Sequence, residues 1–333
     1  MAEAPQTLPN GQPMPSEAQM KAAMEDMGHM AKALSLNEAD PNADISMEKV
    51  FLAIATCPCM SRTIPKDAPS KIDVLEAALK AEKVDMAWVD QADGPARRHA
   101  IALLWQLNRQ RASLKAKDEA LDGMTRQHAS VALQIGTKLL MQAQMMFPHQ
   151  RIVPATLCVA RASALLANSL WSHSDLEAQV LMAKILKSEG LRRPKLRLEA
   201  VCEPKECLPN GKVAVKVVLL RHHAGFDGAE SPTPASPDGI YEAYWLYIAG
   251  IKPDPKVANS LLAAQPIVVK DLTESAVEAS AGFTAPSEPG TFQLRVHVLS
   301  TSVTGVDLSM EVSFMVAGDD GCVGAAVNRR GPL

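Results

Sequence analysis

Residues 241–249, YEAYWLYIA, form the most aromatic stretch of the chain, with all three of its tyrosines and one of its four tryptophans. Downstream, apolar residues alternate with polar or small ones over residues 292–298 and again over residues 308–316. Alternation with a period of two, bounded by proline and glycine, is typical of strands with one buried face. The C-terminal part of the chain is therefore predicted to be a β-sandwich-like module.

The same alternation begins earlier in the chain. Apolar residues alternate over residues 196–200 and 213–219, and the Pro-Asn-Gly turn sequence at 209–211 lies between them. These runs predict a hairpin, and with the later strands they define a sandwich over residues 191–317. Residues 318–333 have no periodic pattern and are predicted to be a flexible tail.

Between residues 44 and 190 the periodicity is helical. Apolar residues recur every three or four positions, Ser46 is a candidate N-cap, and Ser174 with Glu177 has the spacing of a capping box. Pro58 and Pro148 are expected to end two of the helices, since proline cannot continue a helix. The pattern predicts five to seven helices joined by short loops, that is, a helical bundle over residues 44–190.

Residues 1–43 contain five prolines among small and polar residues and are predicted to be a disordered or loosely helical tail. Met20, Met24, Met27 and Met30 recur at helical spacing, which indicates a short amphipathic helix. We interpret this helix as a packed or frayed helix end, in preference to an adaptable helix that binds a partner's groove.

The composition is that of a globular protein. With 333 residues, 21% charged and 47% apolar, the chain has room for two domains, and its net charge of −3 gives no electrostatic argument for a polyanionic partner. The six cysteines are too few and too unevenly spaced for a disulfide scaffold, so we expect reduced thiols in a cytosol-facing protein. There is no secretory signal pattern, and Arg161 interrupts the apolar stretch at 155–171, so no membrane span is predicted.

Few patterns suggest chemistry. Glu206 stands five residues before Gly211, where a phosphate-binding loop ending in Gly-Lys needs a glycine, so no nucleotide motor is predicted. The cysteine pairs 57/59 and 202/207 fall in different halves, and ordinary thiols are favoured over a metal site. His222-His223 is interpreted as a solvated loop edge rather than a metal site or pH switch. No catalytic set, cofactor or metal is predicted, and the chain is expected not to be an enzyme.

The aromatic stretch has two interpretations. Alternation puts Trp245 and Tyr247 on one face of the strand and Tyr244 and Leu246 on the other, and one of these faces must be core. Trp245 is predicted to lie in the core of the sandwich rather than to be an exposed anchor for a partner. The other aromatic side chains are then candidates for packing on the helical region or on a partner.

Three segments occur in a set order: YWLYIAG at 244–250, APSEPGTFQLRVHVLS at 285–300 and TGVDLSMEVSFMV at 304–316. This order resembles the fibronectin-type-III-like end of the Sec-sixty-three family, and with the helices before it the resemblance covers residues 95–316. Where the family has a tyrosine two residues before the glycine of the last segment, this chain has Val303. The resemblance implies an α+β multidomain protein, with an N-terminal helical bundle followed by a fibronectin-type-III/immunoglobulin-like β-sandwich.

The resemblance also implies a function, that of a non-enzymatic scaffold supporting post-translational protein import at the cytosolic face of the endoplasmic reticulum membrane. The implied partners are Sec translocon channel subunits and associated membrane proteins, with Tyr244, Tyr247, Arg295 and Asp307 as candidate partner-binding residues. No small-molecule substrate is implied and nucleic acid is not an expected partner. Membrane contact is expected only indirectly or through a missing N-terminal part.

Two other hypotheses remain open. Large spliceosomal RNA helicases contain a related unit, which would make this chain an accessory module contacting RNA and the motor domain; a clustered lysine and arginine face would favour that role. The third hypothesis is an unrelated soluble adaptor with the same architecture. Endoplasmic reticulum members of the family carry membrane spans and a J domain, whereas this sequence has no His-Pro-Asp triplet. We expect either a fragment of a longer protein or a soluble part used separately.

Overall fold

The computed structural model describes residues 16–64, 70–224 and 242–318. Helices come first in these ranges and strands follow, so the protein is α+β, as the sequence predicts. A 3₁₀ turn at Val89–Gln91 interrupts the helical part. The helices of the described ranges are α1 Glu17–Ala33, α2 Met47–Ala55, α3 Pro58–Thr63, α4 Ile72–Ala81, α5 Gly94–Asn108, α6 Ala112–Glu119, α7 Gly123–Gln150, α8 Val153–Asn168 and α9 Leu176–Ser188. The prediction of five to seven helices is too low, because α3 and α6 are too short to show periodicity.

Polar side chains that accept backbone N–H groups fix the starts of several helices. Ser16 and Gln19 form a capping box at α1, with N···O distances of 3.2 and 2.8 Å. Ser46 caps α2, as predicted, by accepting an N–H at 3.3 Å. The cap of α9 is Asp175, which accepts an N–H at 3.0 Å, so the predicted cap at Ser174 is one residue too early.

The prolines of the helical part mark helix starts more than helix ends. Helix α2 ends at Ala55, and Pro58 then occupies the first position of α3, where a missing N–H costs nothing. Pro148 lies inside the last turn of α7, which continues to Gln150. The predicted end of this helix at Pro148 is therefore too early. Proline removes its own N–H and crowds the carbonyl oxygen four residues earlier, and here the helix continues for only two residues beyond it.

The core of the helical part is built around α5. Its last ten residues, 99–108, are all buried. Trp105 is fully buried, and its Nε1–H donates to Asp118 at 2.7 Å, so its one polar atom is satisfied. In the described ranges, no helix combines the length and the apolar character needed to cross a membrane, and this includes the 28-residue α7.

Helix α1 belongs to the same core. Met30 and Leu34 are fully buried there, whereas Met20 and Met24 are exposed. The methionine stripe thus forms the predicted amphipathic helix, packed at its C-terminal end. The prediction that residues 1–43 form a tail is wrong from residue 16 onward, because this helix buries its apolar face against the rest of the helical part. The earlier residues of the predicted tail lie outside the described ranges.

The strands form two sheets, with orders β1-β3-β6 and β2-β8-β7-β4-β5. Their bounds in the described part are β1 Leu196–Glu203, β2 Glu206–Cys207, β3 Lys212–Arg221, β4 Glu242–Ile251, β5 Ser260–Val269, β6 Ala276–Thr284, β7 Gly290–Ser300 and β8 Leu308–Val316. The pairings are antiparallel except that of β2 with β8, which is parallel. Only Pro204 and Lys205 separate β1 from β2, so one segment of chain pairs with both sheets.

Both sheets contribute to one hydrophobic cluster. Phe283 of β6 and Phe314 of β8 belong to it and meet edge-on, with ring centroids 5.6 Å apart. The predicted alternation over residues 213–219 and 292–298 is confirmed, since the apolar positions of both runs belong to this cluster. Fully buried residues in the cluster come from both sheets, namely Val215, Leu219, Leu246, Ile248, Val269 and Val296.

Candidate interaction site at the helix–sheet junction

Strand β4 has an apolar environment on both faces. Tyr244, Leu246 and Ile248 lie in the cluster between the sheets. Trp245 and Tyr247 face the other way and pack towards α8. The prediction that Trp245 is a core residue of the sandwich is therefore wrong. The helical part covers the outer face of this strand, so both faces are apolar, and alternation alone does not tell which face lies between the sheets.

The outer face of β4 forms a second, smaller cluster with α8. Trp245 and Tyr247 stack in it, with ring centroids 5.7 Å apart and planes 10° apart. No described residue accepts a hydrogen bond from the buried hydroxyl of Tyr247, and burial raises the pKa of that group. Tyr247 packs on the helical region, which is one of the two placements that the sequence left open for the aromatic side chains other than Trp245. The buried members of this cluster are Val153, Leu157, Ala160, Tyr247, Ala249, Leu261 and Leu299.

The loop between β7 and β8, residues 301–307, contacts the helical part directly. Val303 is 2% exposed and belongs to the hydrophobic core of the helices rather than to that of the sheets. The carbonyl oxygen of Ser302 accepts a hydrogen bond from Asn168 Nδ2 of α8 at 2.6 Å. A loop residue thus fills part of the helical core, at the position where the family named above has a tyrosine.

Gly305 lets this loop pass close to α9. Its φ of +73° lies in the left-handed region that favours glycine, and a Cβ there would overlap the side-chain amide of Gln179. Gln179 is itself held by hydrogen bonds to Arg193 and to the carbonyl oxygen of His173. Arg193 Nη2 also donates to the carbonyl oxygen of Gly305 at 3.2 Å. Only glycine fits this approach without moving Gln179.

Asp307 forms the ion pair of the junction. Its Oδ2 lies 3.3 Å from Arg161 Nε of α8, and its Oδ1 accepts the N–H of Ser300 at 3.3 Å. Burial raises the pKa of Asp307, although Arg161 and the Ser300 N–H act in the opposite direction. Asp307, predicted to contact a partner protein, thus makes a contact within the chain, and its side chain remains 24% exposed.

A second polar contact lies at the opposite end of the strands. Asn42 Nδ2 donates to the carbonyl oxygens of Pro255 and Val257 at 3.0 and 2.9 Å. Its Oδ1 accepts the N–H of Asn259 at 2.7 Å. One side-chain amide from the helical part thus satisfies three backbone groups between β4 and β5. The helices therefore hold the five-stranded sheet at both ends of β4.

Of the four predicted partner contacts, Arg295 lies on the surface. It pairs with Glu311 of β8 at 2.5 Å on the outer face of the five-stranded sheet, with side chains 47% and 50% exposed. Gln293 and Ser313, paired with each other on the same two strands, are also exposed. We name Gln293, Arg295, Glu311 and Ser313 the polar strip. The polar strip lies on the same face of the five-stranded sheet as the part of β7 that α8 covers.

Tyr244 and Tyr247 do not lie on the surface. They are 1% and 0% exposed, because Tyr244 fills the core between the sheets and Tyr247 the cluster against α8. Neither side chain is therefore exposed on this chain for the predicted contact with a partner protein. Aromatic side chains at a strand face favour an interface, and here the interface lies within the chain.

A buried polar network lies at one end of the inter-sheet core, where the sequence indicated none. The Glu242 carboxylate pairs with the Arg221 guanidinium, and it accepts hydrogen bonds from His223 Nε2 at 2.9 Å and from the Tyr244 hydroxyl at 2.8 Å. Burial raises the pKa of Glu242, but the hydrogen bonds from His223, Arg221 and Tyr244 together lower it to about 2. His223 is buried, so its prediction as a solvated residue is wrong, whereas His222 is exposed.

One group of side chains in the described ranges has the atom types of a metal site. The ligand atoms of Asp26, Cys57 and Cys59 lie within 4.8 Å of one another. However, Asp26 Oδ1 is already paired with Arg62 Nη2 at 2.5 Å, and that positive charge would oppose a cation. The described cysteines form no disulfide with one another.

No protein-family model and no curated protein matches this chain. Among solved structures, the Pseudomonas fluorescens alkylpurine DNA glycosylase AlkC, bound to DNA containing an abasic site analog, is similar over 92% of this chain and 84% of its own, with 12% identity and a TM-score of 0.24. Listeria innocua β-glucosidase in complex with glucose is similar over 39% of this chain and 17% of its own, with 14% identity and a TM-score of 0.22. Similarity this low carries no argument about activity. The resemblance to the Sec-sixty-three family stays a prediction from the sequence.

Proposed function

We propose that this chain is a non-enzymatic scaffold, resembling the cytosolic part of the Sec-sixty-three translocation protein, that supports post-translational import into the endoplasmic reticulum through contacts with the channel complex. The observation that carries the proposal is the insertion of the 301–307 loop into the helical core. With the β4 aromatic residues packed on α8, this loop fixes the sheets to the helices. A scaffold needs surfaces in a fixed relation to one another, and this junction supplies that relation.

The strand order supports the finer part of the fold proposal, a fibronectin-type-III/immunoglobulin-like sandwich. In such folds strands A, B and E share one sheet, and C, F and G share the other. With β1, β3 and β6 as A, B and E, and β4, β7 and β8 as C, F and G, this chain has that arrangement. Strand β5 then takes the edge beside C. The single hydrophobic cluster shared by both sheets agrees with two packed layers.

The polar strip is the surface that we assign to the channel partner. Its Arg295–Glu311 pair is about half exposed, so it contributes about 1 kcal/mol or less to folding. A pair so weakly tied to stability is free to exchange its partner for charges on another protein. The proposal therefore implies a channel segment with complementary charges, bound at the cytosolic face of the endoplasmic reticulum membrane.

The experiment measures binding of the purified full chain to peptides from the cytosolic loops of the protein-conducting channel. Arg295→Glu is expected to weaken binding about tenfold, because it places two like charges opposite each other on β7 and β8 and reverses the charge offered to the partner. Arg197→Glu is the matched control. Arg197 is an exposed arginine paired with Glu199 on the other sheet, and its variant should bind as the wild type does.

Two outcomes would contradict the proposal. The first is wild-type binding no stronger than that of an unrelated peptide. The second is equal binding by the wild type and both variants, which would mean that the peptide does not contact the polar strip. Salt-dependent binding of RNA by the same chain, in place of peptide binding, would favour the accessory module of an RNA helicase.

A further inference from the structure

Two thiols and a buried carboxylate meet where α1 crosses the turn between α2 and α3. Cys57 and Cys59 flank Pro58, and their Sγ atoms lie 3.4 Å apart. Asp26 of α1 approaches from the side: its Oδ1 lies 3.5 Å from Cys57 Sγ and accepts the N–H of Cys59 at 3.1 Å. Arg62, one turn along α3, pairs with the same carboxylate.

The two thiols differ in access. Cys57 is 1% exposed and belongs to the helical core. Cys59 is half-buried and lines a groove of about 870 Å³ bounded by α1, α3 and α7. Arg62, Lys138 and Asp26 line the same groove, and Arg62 is paired with Asp26 there. A reagent in the groove therefore reaches Cys59 first.

The two thiols also differ in acidity. The hydrogen bond with Cys57 lowers the pKa of Cys59, with help from the charge of Arg62 and against burial and the charge of Asp26. The hydrogen bond with Cys59 and burial raise the pKa of Cys57. When the pair holds one proton, that proton stays on Cys57 and Cys59 is the thiolate. The thiolate is the reactive form of cysteine in exchange with disulfides.

We propose that Cys59, Cys57 and Asp26 form a thiol–disulfide exchange site whose substrates are small-molecule or protein disulfides that enter the groove. The accessible sulfur, the hidden sulfur and the carboxylate correspond to an attacking thiol, a resolving thiol and a proton acceptor. In a reducing compartment, disulfides that form are transient and serve catalysis or redox sensing. The role goes beyond that of a scaffold and does not depend on it.

The exchange has two steps. The Cys59 thiolate attacks one sulfur of the substrate disulfide, forms a mixed disulfide and expels the first substrate thiolate, which takes a proton from water. Asp26 then accepts the proton of Cys57, and the Cys57 thiolate attacks Cys59 Sγ. This forms the Cys57–Cys59 disulfide and expels the second substrate thiolate, which takes the proton from Asp26. The substrate gains two electrons and the cysteine pair loses two. The Sγ atoms move from 3.4 Å to about 2.05 Å apart.

The first experiment treats the reduced full chain with oxidised glutathione in the presence of a chelator, followed by acid quenching and peptide mass spectrometry. The wild type should form the Cys57–Cys59 disulfide. Cys57→Ser should accumulate glutathione on Cys59, because the resolving thiol is gone, and Cys59→Ser should leave Cys57 unmodified. Cys207→Ser, a half-buried thiol outside this group, is the control and should behave as the wild type does.

Failure to trap glutathione on Cys59 in Cys57→Ser would overturn the proposal, because trapping needs only the first step. The alkylation rate of Cys59 with iodoacetamide at pH 7 gives an independent measure. It should exceed that of Cys207 at least about tenfold, since only the thiolate reacts. Equal rates would overturn the assignment of Cys59 as the attacking thiol.

The second experiment tests Asp26. Asp26→Asn should slow closure of the mixed disulfide about tenfold or more, because resolution needs the proton acceptor. The first step should not become slower, since loss of the Asp26 charge lowers the pKa of Cys59 further. The closure rate should also acquire a steeper pH dependence, and Asp26→Glu should restore part of it. If Asp26 had only a structural role, its replacement would change neither the pH profile of the closure rate nor the ratio of the rates of the two steps. If Asp26→Asn forms the Cys57–Cys59 disulfide at the wild-type rate across the pH range, Asp26 is not the proton acceptor of the site.

Discussion

Glu242 and Asp307 are two carboxylates of the strand region, each paired with an arginine, and their surroundings give them opposite properties. Glu242 receives four hydrogen bonds, from Arg221 Nε and Nη2, His223 and Tyr244, and its pKa falls to about 2 despite burial. Asp307 has Arg161 and one backbone N–H, and its pKa stays raised. Both carboxylates have an arginine partner, so the number of hydrogen-bond donors accounts for the difference: four hydrogen bonds hold Glu242 as the anion, whereas the fewer donors at Asp307 leave its pKa raised.

The largest effect is expected for Glu242→Gln. The variant leaves the Arg221 guanidinium buried without a counter-charge, which should lower the free energy of unfolding by about 3 to 5 kcal/mol. Urea unfolding followed by circular dichroism measures the change. Glu311→Gln, which breaks the exposed pair with Arg295, is the control and should cost about 1 kcal/mol or less. Equal costs for the two variants would contradict the role assigned to the buried network.

As pH falls, protonation should destabilise the helical part and the junction at a higher pH than it destabilises the Glu242 network. Burial, with smaller effects from nearby charges, lowers the pKa of His99, His128 and His297 from 6.5 to about 4. The unfolded chain binds these protons near pH 6.5 and the folded chain only near pH 4, so stability is lost as pH falls through this window, by about 1 to 3 kcal/mol per histidine. Glu242, with its pKa lowered from 4.5 to about 2, contributes stability that is present above pH 4.5 and lost below it.

Urea unfolding from pH 7 to pH 4 measures this loss. His128→Asn should show a shallower decline than the wild type, because one proton fewer is taken up on unfolding. The exposed His222→Gln is the control and should follow the wild-type curve. If the free energy of unfolding falls with pH at the same slope in all three proteins, the loss of stability does not come from the buried histidines.

A smaller difference in stability is expected between alanine substitutions at two glycines with the same backbone conformation. Gly305 and Gly190 have φ values of +73° and +72°, but among described atoms only Gly305 has a neighbour in the space of a Cβ. Gly190→Ala should cost about 1 kcal/mol for the backbone alone. Gly305→Ala should cost about 1 kcal/mol more, because Gln179 must give up its hydrogen bonds. The excess should vanish in a Gln179→Ala background; an excess that persists there would place the strain elsewhere.

The smallest effect is expected for Asp307→Asn. Because the folded state raises the pKa of Asp307 above 3.8, it disfavours the ionised form, and stability from this group grows as pH falls through the folded pKa. Removal of the charge at pH 7 should therefore change the free energy of unfolding by less than about 1 kcal/mol. A cost as large as that of Glu242→Gln would contradict the contrast between the two carboxylates. Added salt should not change the contribution of this site to the free energy of unfolding of the variant, since its ion pair with Arg161 is gone.

The order of helices before strands, and the strand faces formed by Val213 to Leu219 and by Phe292 to Val298, could be predicted from periodicity. That signal reports which residues share a face and not what covers the face. Trp245 shows the limit. Its strand is apolar on both sides because α8 packs on the outer one, so parity alone assigns it to the wrong core.

Other errors have a different cause, the dependence of burial on contacts that are distant in the chain. Val303 lies in a loop, where residues are expected at the surface, yet it fills the helical core. Arg221 and Glu242 end one strand and begin another, and they meet because β3 and β4 lie in different sheets that share a core. Two charged residues at the ends of apolar runs are the signal that could have indicated this network. Asp26 and the two cysteines likewise meet only when α1 packs on α3.

Only two residues, Pro204 and Lys205, separate the part of the chain paired with β3 from the part paired with β8. This short crossing connects the β1 edge of one sheet covalently to the β2 edge of the other. A force on one sheet is therefore shared with the other, and through the loop anchored at Val303 it reaches the helices as well. The molecule should resist pulling as a single mechanical unit, which is a property that the proposed scaffold would need.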